Sequence, residues 1–182
     1  MIERAAFIRV GRRAWLCLIL AGCASRTLAP PPDVPPALRV SSDQTVAFAL
    51  HGSGVQIYEC RAAPDNATHF AWVLRGPEAD LADFAGKTVG RHFAGPTWEA
   101  EDGSTVTGEI VAQESAPSPD AVPWLLLRAT SNGGKGLFAK IRFIQRLHTV
   151  GGKAPTGCDA SQLRKPVRVP YAAEYYFYAA RK

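Results

Sequence analysis

The feature that most constrains the fold is a succession of short segments rich in Val, Ile, Phe, Tyr, Trp and Thr, separated by closely spaced Gly, Pro, Asp and Asn. β-Branched and aromatic residues favour strands, and the separating residues favour tight turns. The segments span 45–50, 54–61, 69–75, 87–93, 96–101, 104–113, 122–130, 137–150 and 168–180. Eight or nine strands with little helix predict an all-β domain, either a mostly antiparallel β-sandwich or a partly closed β-barrel.

Local patterns predict how some of these segments are joined. Residues 51–53, His-Gly-Ser, and residues 102–103, Asp-Gly, are typical of hairpin turns. A helix is expected only around residues 78–84, and residues 156–164 have room for one helical turn.

Two segments indicate which strand faces are buried. In 137–150 the side chains alternate with a period of two, which predicts a half-buried strand. One face carries Ile141, Phe143 and Leu147, and the other carries Lys140, Arg142 and Arg146. The four consecutive aromatic residues 175–178 must alternate between faces. Either both faces are covered, or one set forms a surface for an apolar small molecule or a carbohydrate.

The first 22 residues have the layout of a secretory signal, with four arginines before a short apolar run and small residues after it. The apolar run is far shorter than the roughly twenty residues that cross a bilayer. The ending Leu-Ala-Gly-Cys resembles a bacterial lipoprotein signal, which implies that Cys23 is acylated and anchors the protein to the membrane. Ala24 after this cysteine favours the periplasmic face of the outer membrane over inner-membrane retention.

Residues 23–36 follow as a tether, with five prolines between positions 30 and 36 that favour extended backbone. Residues 37–182 have the usual size of one domain. Without residues 1–22 the chain holds 17 basic and 15 acidic residues, a net charge of about +2. A net charge this close to zero is not typical of a nucleic-acid-binding protein, which is usually strongly basic.

Cysteine usage predicts one covalent cross-link. Cys17 leaves with the signal and Cys23 takes lipid, so Cys60 and Cys158 remain in an oxidising compartment and are expected to form a disulfide. The alternative is a two-cysteine metal site, although neither cysteine has a typical metal-ligand spacing.

Several blocks, taken in order, resemble domain-of-unknown-function family 3455, whose members are exported bacterial and fungal proteins. The resemblance covers residues 46–178 and is carried by ALHGSGVQIYEC, WVLRGPEADL, VGRHFAGPTWEAEDGS, PWLLLRAT, HTVGGKAPTGCD and VPYAAEYYFY. It implies a secreted single domain in which Cys60 and Cys158 belong to its YEC and GCD blocks. It implies no catalytic residue.

Only one group of residues has the composition of a reactive site. His51, His92 and Glu99 offer two imidazoles and a carboxylate, with Trp98 beside them, for a ligand site, a divalent metal or an acid and base pair. The alternative is that each histidine forms a hydrogen bond across a loop and packs beside Trp98. Ser53 lacks the first glycine of a nucleophile elbow, since position 51 is His.

The sequence therefore favours an envelope lipoprotein whose β domain binds a ligand or has a structural role, with no predicted cofactor. The alternative is a secreted, metal-assisted hydrolase centred on His51, His92 and Glu99.

Overall fold

The computed structural model describes residues 32–181. The signal segment, Cys23 and the first part of the tether lie outside the described residues. The strands are β1 (Gln44–Ala63), β2 (Asn66–Ala82), β3 (Thr88–Phe93), β4 (Thr97–Ala100), β5 (Thr105–Glu114), β6 (Trp124–Gly133), β7 (Phe143–Gly151) and β8 (Pro166–Ala180). Short 3-10 helices span Pro36–Leu38 and Ala160–Gln162. The second of these is the helical turn expected within 156–164.

The strands form a single antiparallel sheet in which each strand pairs with the next along the chain. The sheet closes into a ring because β8 also pairs with β1, from Gln44 opposite Ala180 to Glu59 opposite Pro166. The all-β prediction is thus confirmed. The strands form one closed sheet and not two sheets packed face to face, so the structure is not the β-sandwich that the sequence also allowed. No helix in residues 32–181 is long and apolar enough to cross a bilayer.

The hairpin turn predicted at residues 51–53 is wrong. These residues lie in the middle of β1 and pair with β2 on one side and with β8 on the other. A glycine is needed at position 52 because the ring of Tyr175 packs closely against its backbone, and not because the chain turns there. A Cβ atom at Gly52 would lie 2.6 Å from Cε2 of Tyr175.

The helix predicted at residues 78–84 is also wrong, because β2 continues to Ala82. Ala79 and Leu81 are buried in the main core, whereas Glu78 and Asp80 on the other face are not buried. This is the period of a strand with one buried face. Pairing with β1 and β3 on both sides prevails over the helical tendency of the Glu-Ala-Asp-Leu sequence.

The main core fills the ring and contains residues from most strands. A second cluster lies outside the ring, where Val34 from the tether and Leu38 from the first 3-10 helix pack over Leu126 and Leu147. Gln145 fixes this contact, since its Nε2 donates to the carbonyl of Leu38 at 2.6 Å. Both faces of the sheet are therefore covered at residues 125–127 of β6, 143–147 of β7 and 175–178 of β8. For residues 175–178 this is one of the two alternatives that the sequence left open.

The predicted disulfide joins Cys60 on β1 to Cys158 in the segment before β8. Because both sulfur atoms are bonded to each other, the two-cysteine metal site is excluded. Backbone hydrogen bonds from Arg164 N to Cys60 O and from Cys60 N to Lys165 O hold the same segment against β1. The Nε1 of Trp72 adds a third bond, to the carbonyl of Gly157 at 2.6 Å.

Candidate functional site

The ring has a gap in its side, because β3 and β4 are much shorter than the strands that flank them. β3 pairs with β2 only over residues 78–82, and β4 pairs with β5 only over residues 105–107. In the described structure, residues 66–77 of β2 and 109–114 of β5 have no strand partner on the side that faces the gap. The gap therefore leads from solvent to the inner face of the sheet.

A pocket of about 210 Å³ lies behind the gap. Its mouth is formed by the end of the unpaired part of β2, by the turn between β3 and β4, and by Ile110 of β5. Its inner wall is formed by side chains that point into the ring, namely His92, Trp98, Leu125, Leu127, Arg146 and Tyr175. Leu74 and Ile110 at the mouth are 52% and 55% exposed, so an apolar surface continues from the pocket to solvent.

His92 is neutral in this wall. Burial lowers its pKa to about 3. Its Nδ1 lies 2.8 Å from the carbonyl oxygen of Thr97. Because a carbonyl can only accept, Nδ1 carries the proton and Nε2 keeps a free lone pair. His92 can thus accept a hydrogen bond from a ligand but does not supply a positive charge.

Trp98 contributes an aromatic surface to the same wall. The residue is 1% exposed, and its Nε1 is buried without an acceptor among residues 32–181. An unsatisfied donor of this kind costs about 1 to 3 kcal/mol. Because protein atoms cover Nε1, a molecule in the pocket would contact the ring and not this N–H.

Tyr175 belongs to the inner wall, and Tyr171 lies behind it without lining the pocket. The two hydroxyl groups lie 3.2 Å apart, so one donates to the other. Burial raises the pKa of both phenols, which keeps them protonated and uncharged. Tyr175 therefore adds a neutral side chain to the wall.

Arg146 is the charged residue of the inner wall. It lies opposite Leu125 on β6 and Tyr175 on β8, both of which point into the main core. Its Nε and Nη2 atoms donate to the carbonyl of Pro123 at 3.2 and 2.9 Å.

The strand predicted over residues 137–150 begins only at Phe143, and its predicted faces are wrong. Ile141 packs in the main core, whereas Phe143 and Leu147 face the outer cluster. Arg146 faces the ring interior, so β7 is covered on both faces here and is not half-buried.

The structure brings together only two of the four residues predicted as a site. His92 and Trp98 line the pocket, with stacked rings whose centroids lie 4.3 Å apart. His51 is exposed on the outer face of β1 against Phe84, and Glu99 forms an ion pair with Arg91 at 2.8 Å. The described residues contain no group of three or more His, Cys, Asp or Glu arranged for a metal ion.

The alternation in the sequence predicts Arg146 on the polar face of a half-buried strand, with Lys140 and Arg142, and so predicts no functional role for it. The structure places Arg146 on the inner face instead. The one signal in the sequence is the apolar run at residues 125–127, which lies on the strand that pairs with β7 and indicates cover on both faces. An arginine rarely lies on a covered face unless its charge is paired or solvated.

Together, the fold and the pocket define an all-β domain made of one closed antiparallel sheet with an interior cavity open at its side. The chain belongs to the family described as Protein of unknown function (DUF3455), whose model matches residues 41–179. The matched region runs from just before β1 almost to the end of β8, so the whole ring is the family domain. Neither the curated proteins nor the solved structures gave a match.

Proposed function

We propose that this domain binds a small, mostly apolar molecule in the pocket behind the side gap of the ring. The observation that supports this proposal most strongly is the gap itself, which opens a preformed apolar cavity to solvent without disturbing the rest of the closed sheet. Concave, mostly apolar cavities with a few convergent polar groups are the usual form of a small-molecule site.

The size of the pocket limits the size of the ligand. A cavity of about 210 Å³ holds roughly eight to ten non-hydrogen atoms at the packing density of organic solids. A longer molecule would extend through the gap and cover the exposed side chains of Leu74 and Ile110. Burial of such a chain is favourable by about 0.8 kcal/mol for each methylene group.

The geometry supports binding over the alternative of a metal-assisted hydrolase. His51 and Glu99 lie on the outer surface of the ring, whereas His92 lies inside it. Three groups on opposite faces of one sheet cannot act on the same substrate atom.

We also propose that the domain is an exported lipoprotein, held at the periplasmic face of the outer membrane by acylated Cys23. This rests on the basic segment, the apolar run and the Leu-Ala-Gly-Cys ending in the sequence. A domain displayed on a proline-rich tether at that surface is suited to hold apolar compounds in the periplasm.

Titration calorimetry of the purified protein with 1-octanol tests the binding proposal. We expect one saturable site with a dissociation constant in the range of roughly 10 µM to 1 mM, typical for a ligand of this size. The variants Leu74→Trp and Ile110→Trp narrow the mouth and should weaken binding at least about tenfold.

Val73→Trp is the matched control, because Val73 is also exposed on β2 but does not line the pocket. It should bind octanol like the unaltered protein. Absence of saturable binding, or equal affinity in all three variants, would contradict the proposal.

A further inference from the structure

We propose that the ligand of this pocket is an anionic amphiphile, a small carboxylate with an apolar tail, whose head group is bound by Arg146. This inference rests on the proposed binding function and specifies the chemical class of the ligand.

The guanidinium of Arg146 is held in place but not neutralised. Its two hydrogen bonds to the carbonyl oxygen of Pro123 fix the orientation of the guanidinium. Because that acceptor is neutral, it does not balance the positive charge. No ion pair connects it to any carboxylate within residues 32–181. A guanidinium stays charged at every physiological pH, and its planar fork matches the two oxygen atoms of a carboxylate.

The remaining charges of the pocket also favour an anion. Its thirteen lining residues include two arginines and no acidic residue. Arg75, the second arginine, lies at the mouth, where its Nε is 3.7 Å from a carboxylate oxygen of Glu59. Arg75 is thus partly balanced, whereas the deeper Arg146 leaves the inner wall with a net positive charge.

Arg146 is the donor that a head group would meet in the inner wall. Its direct neighbour across the sheet is Tyr175 on β8, which lines the same wall. The indole N–H of Trp98 is covered by protein atoms, so Trp98 offers the ligand an aromatic ring and no donor. A carboxylate has two acceptor oxygens and no donor, which is the complement of a guanidinium.

The rest of the pocket fits an alkyl or aryl tail. Leu125 and Leu127 line the interior, and Leu74 and Ile110 line the way out. A head group at Arg146 therefore places the tail along an apolar path toward solvent. Octanoate has ten non-hydrogen atoms, the upper end of the range that the cavity volume allows.

Calorimetry with three eight-carbon probes isolates the contribution of the head group. At about pH 7.5 octanoate is anionic, 1-octanol is neutral and octylammonium is cationic. We expect octanoate to bind at least about tenfold more tightly than octanol, and octylammonium to bind more weakly than octanol. Arg146→Met should reduce the affinity for octanoate to that for octanol, while the affinity for octanol changes by less than about threefold.

Arg142→Met is the control, because Arg142 is an exposed arginine near the start of β7 that does not line the pocket. It should keep the preference for octanoate. Equal affinities of the unaltered protein for octanoate and octanol would overturn the inference even if Arg146→Met does not fold. A preference for octanoate that survives in Arg146→Met would also overturn it. Failure of all three probes to bind would instead contradict the proposed function.

Discussion

The imidazole of His92 stacks on the indole of Trp98, with 4.3 Å between ring centroids and 10° between ring planes. The two residues are direct cross-strand neighbours on β3 and β4. Tyr175 contacts both rings edge-on from β8, at 5.2 Å from His92 and 5.6 Å from Trp98. The short β3–β4 hairpin, which leaves the side gap in the ring, thus also supplies the aromatic wall behind it.

Burial of neutral His92 should make the stability of the fold depend on pH. Burial lowers the pKa of His92 from 6.5, its ordinary value in an unfolded chain, to about 3 in the folded protein, so the unfolded chain binds more protons between these values. The contribution to stability is complete above pH 6.5 and is lost as the pH falls toward 3. Urea unfolding between pH 7.5 and 4 should show a loss on the order of several kcal/mol.

The variant His92→Asn tests the origin of this pH dependence, because asparagine keeps a polar side chain but does not titrate. We expect it to be less stable at pH 7.5, with a flatter dependence of the free energy of unfolding on pH. If His92→Asn has the same slope below pH 6.5 as the unaltered protein, then His92 is not the group responsible.

Gly54 is required by a close approach of two strands. A Cβ atom there would lie 2.1 Å from the carbonyl oxygen of Glu78 and 2.6 Å from Cα of Ala79, and backbone atoms cannot move aside easily. Gly54→Ala should therefore reduce the free energy of unfolding by about 3 kcal/mol or more, measured in urea.

Gly86→Ala is the matched control for Gly54→Ala. Gly86 has a φ of 85° but nothing within 4 Å of a Cβ, so only backbone strain of about 1 kcal/mol is expected. Equal losses in the two variants would show that the contact with β2 is not the cause.

The Cys60–Cys158 disulfide should be a large part of the stability. Its cysteines are 98 residues apart in sequence, for which the chain-entropy model gives about 4 to 5 kcal/mol. The double variant Cys60→Ala/Cys158→Ala should lose this amount in urea unfolding, and it should not respond to reductant, whereas the unaltered protein should. Detection of two free thiols in native protein would refute the cross-link.

The proposed lipid anchor makes a prediction about location. In cells that process lipoproteins, Cys23→Ser should move the protein from the membrane fraction to the soluble fraction, because it removes the proposed site of acylation. Ser25→Ala changes a neighbouring residue and should leave the protein in the membrane fraction. Membrane association that survives Cys23→Ser would rule out this anchor.

The positions of most strand segments follow from local sequence patterns. The positions of the turns between strands follow from them only in part. The Asp102-Gly103 turn between β4 and β5 is where the sequence predicts it, because this pair specifies a tight turn locally. The His51-Gly52-Ser53 sequence has the same local appearance, yet Gly52 serves to admit the ring of Tyr175 from β8. Such a requirement depends on residues far apart in sequence and leaves no local signal.

The candidate site was predictable only in part, for a similar reason. His92 and Trp98 stand out because a histidine and a tryptophan flank a Gly-Pro turn, and the structure places them together. Arg146 gives no such signal. It faces inward because Val34 and Leu38 cover the other face of β7, which is a long-range contact.

The central claim, that a small apolar ligand enters the pocket through the side gap, is tested most directly by NMR of the tryptophan indole N–H groups during titration with 1-octanol. Trp98 lines the pocket, Trp72 bonds to Gly157, and Trp124 packs in the outer cluster. Binding of octanol in the pocket should give a saturable shift of the Trp98 resonance and leave the Trp72 and Trp124 resonances unchanged. An unchanged Trp98 resonance at saturating octanol, or equal shifts of all three, would contradict it.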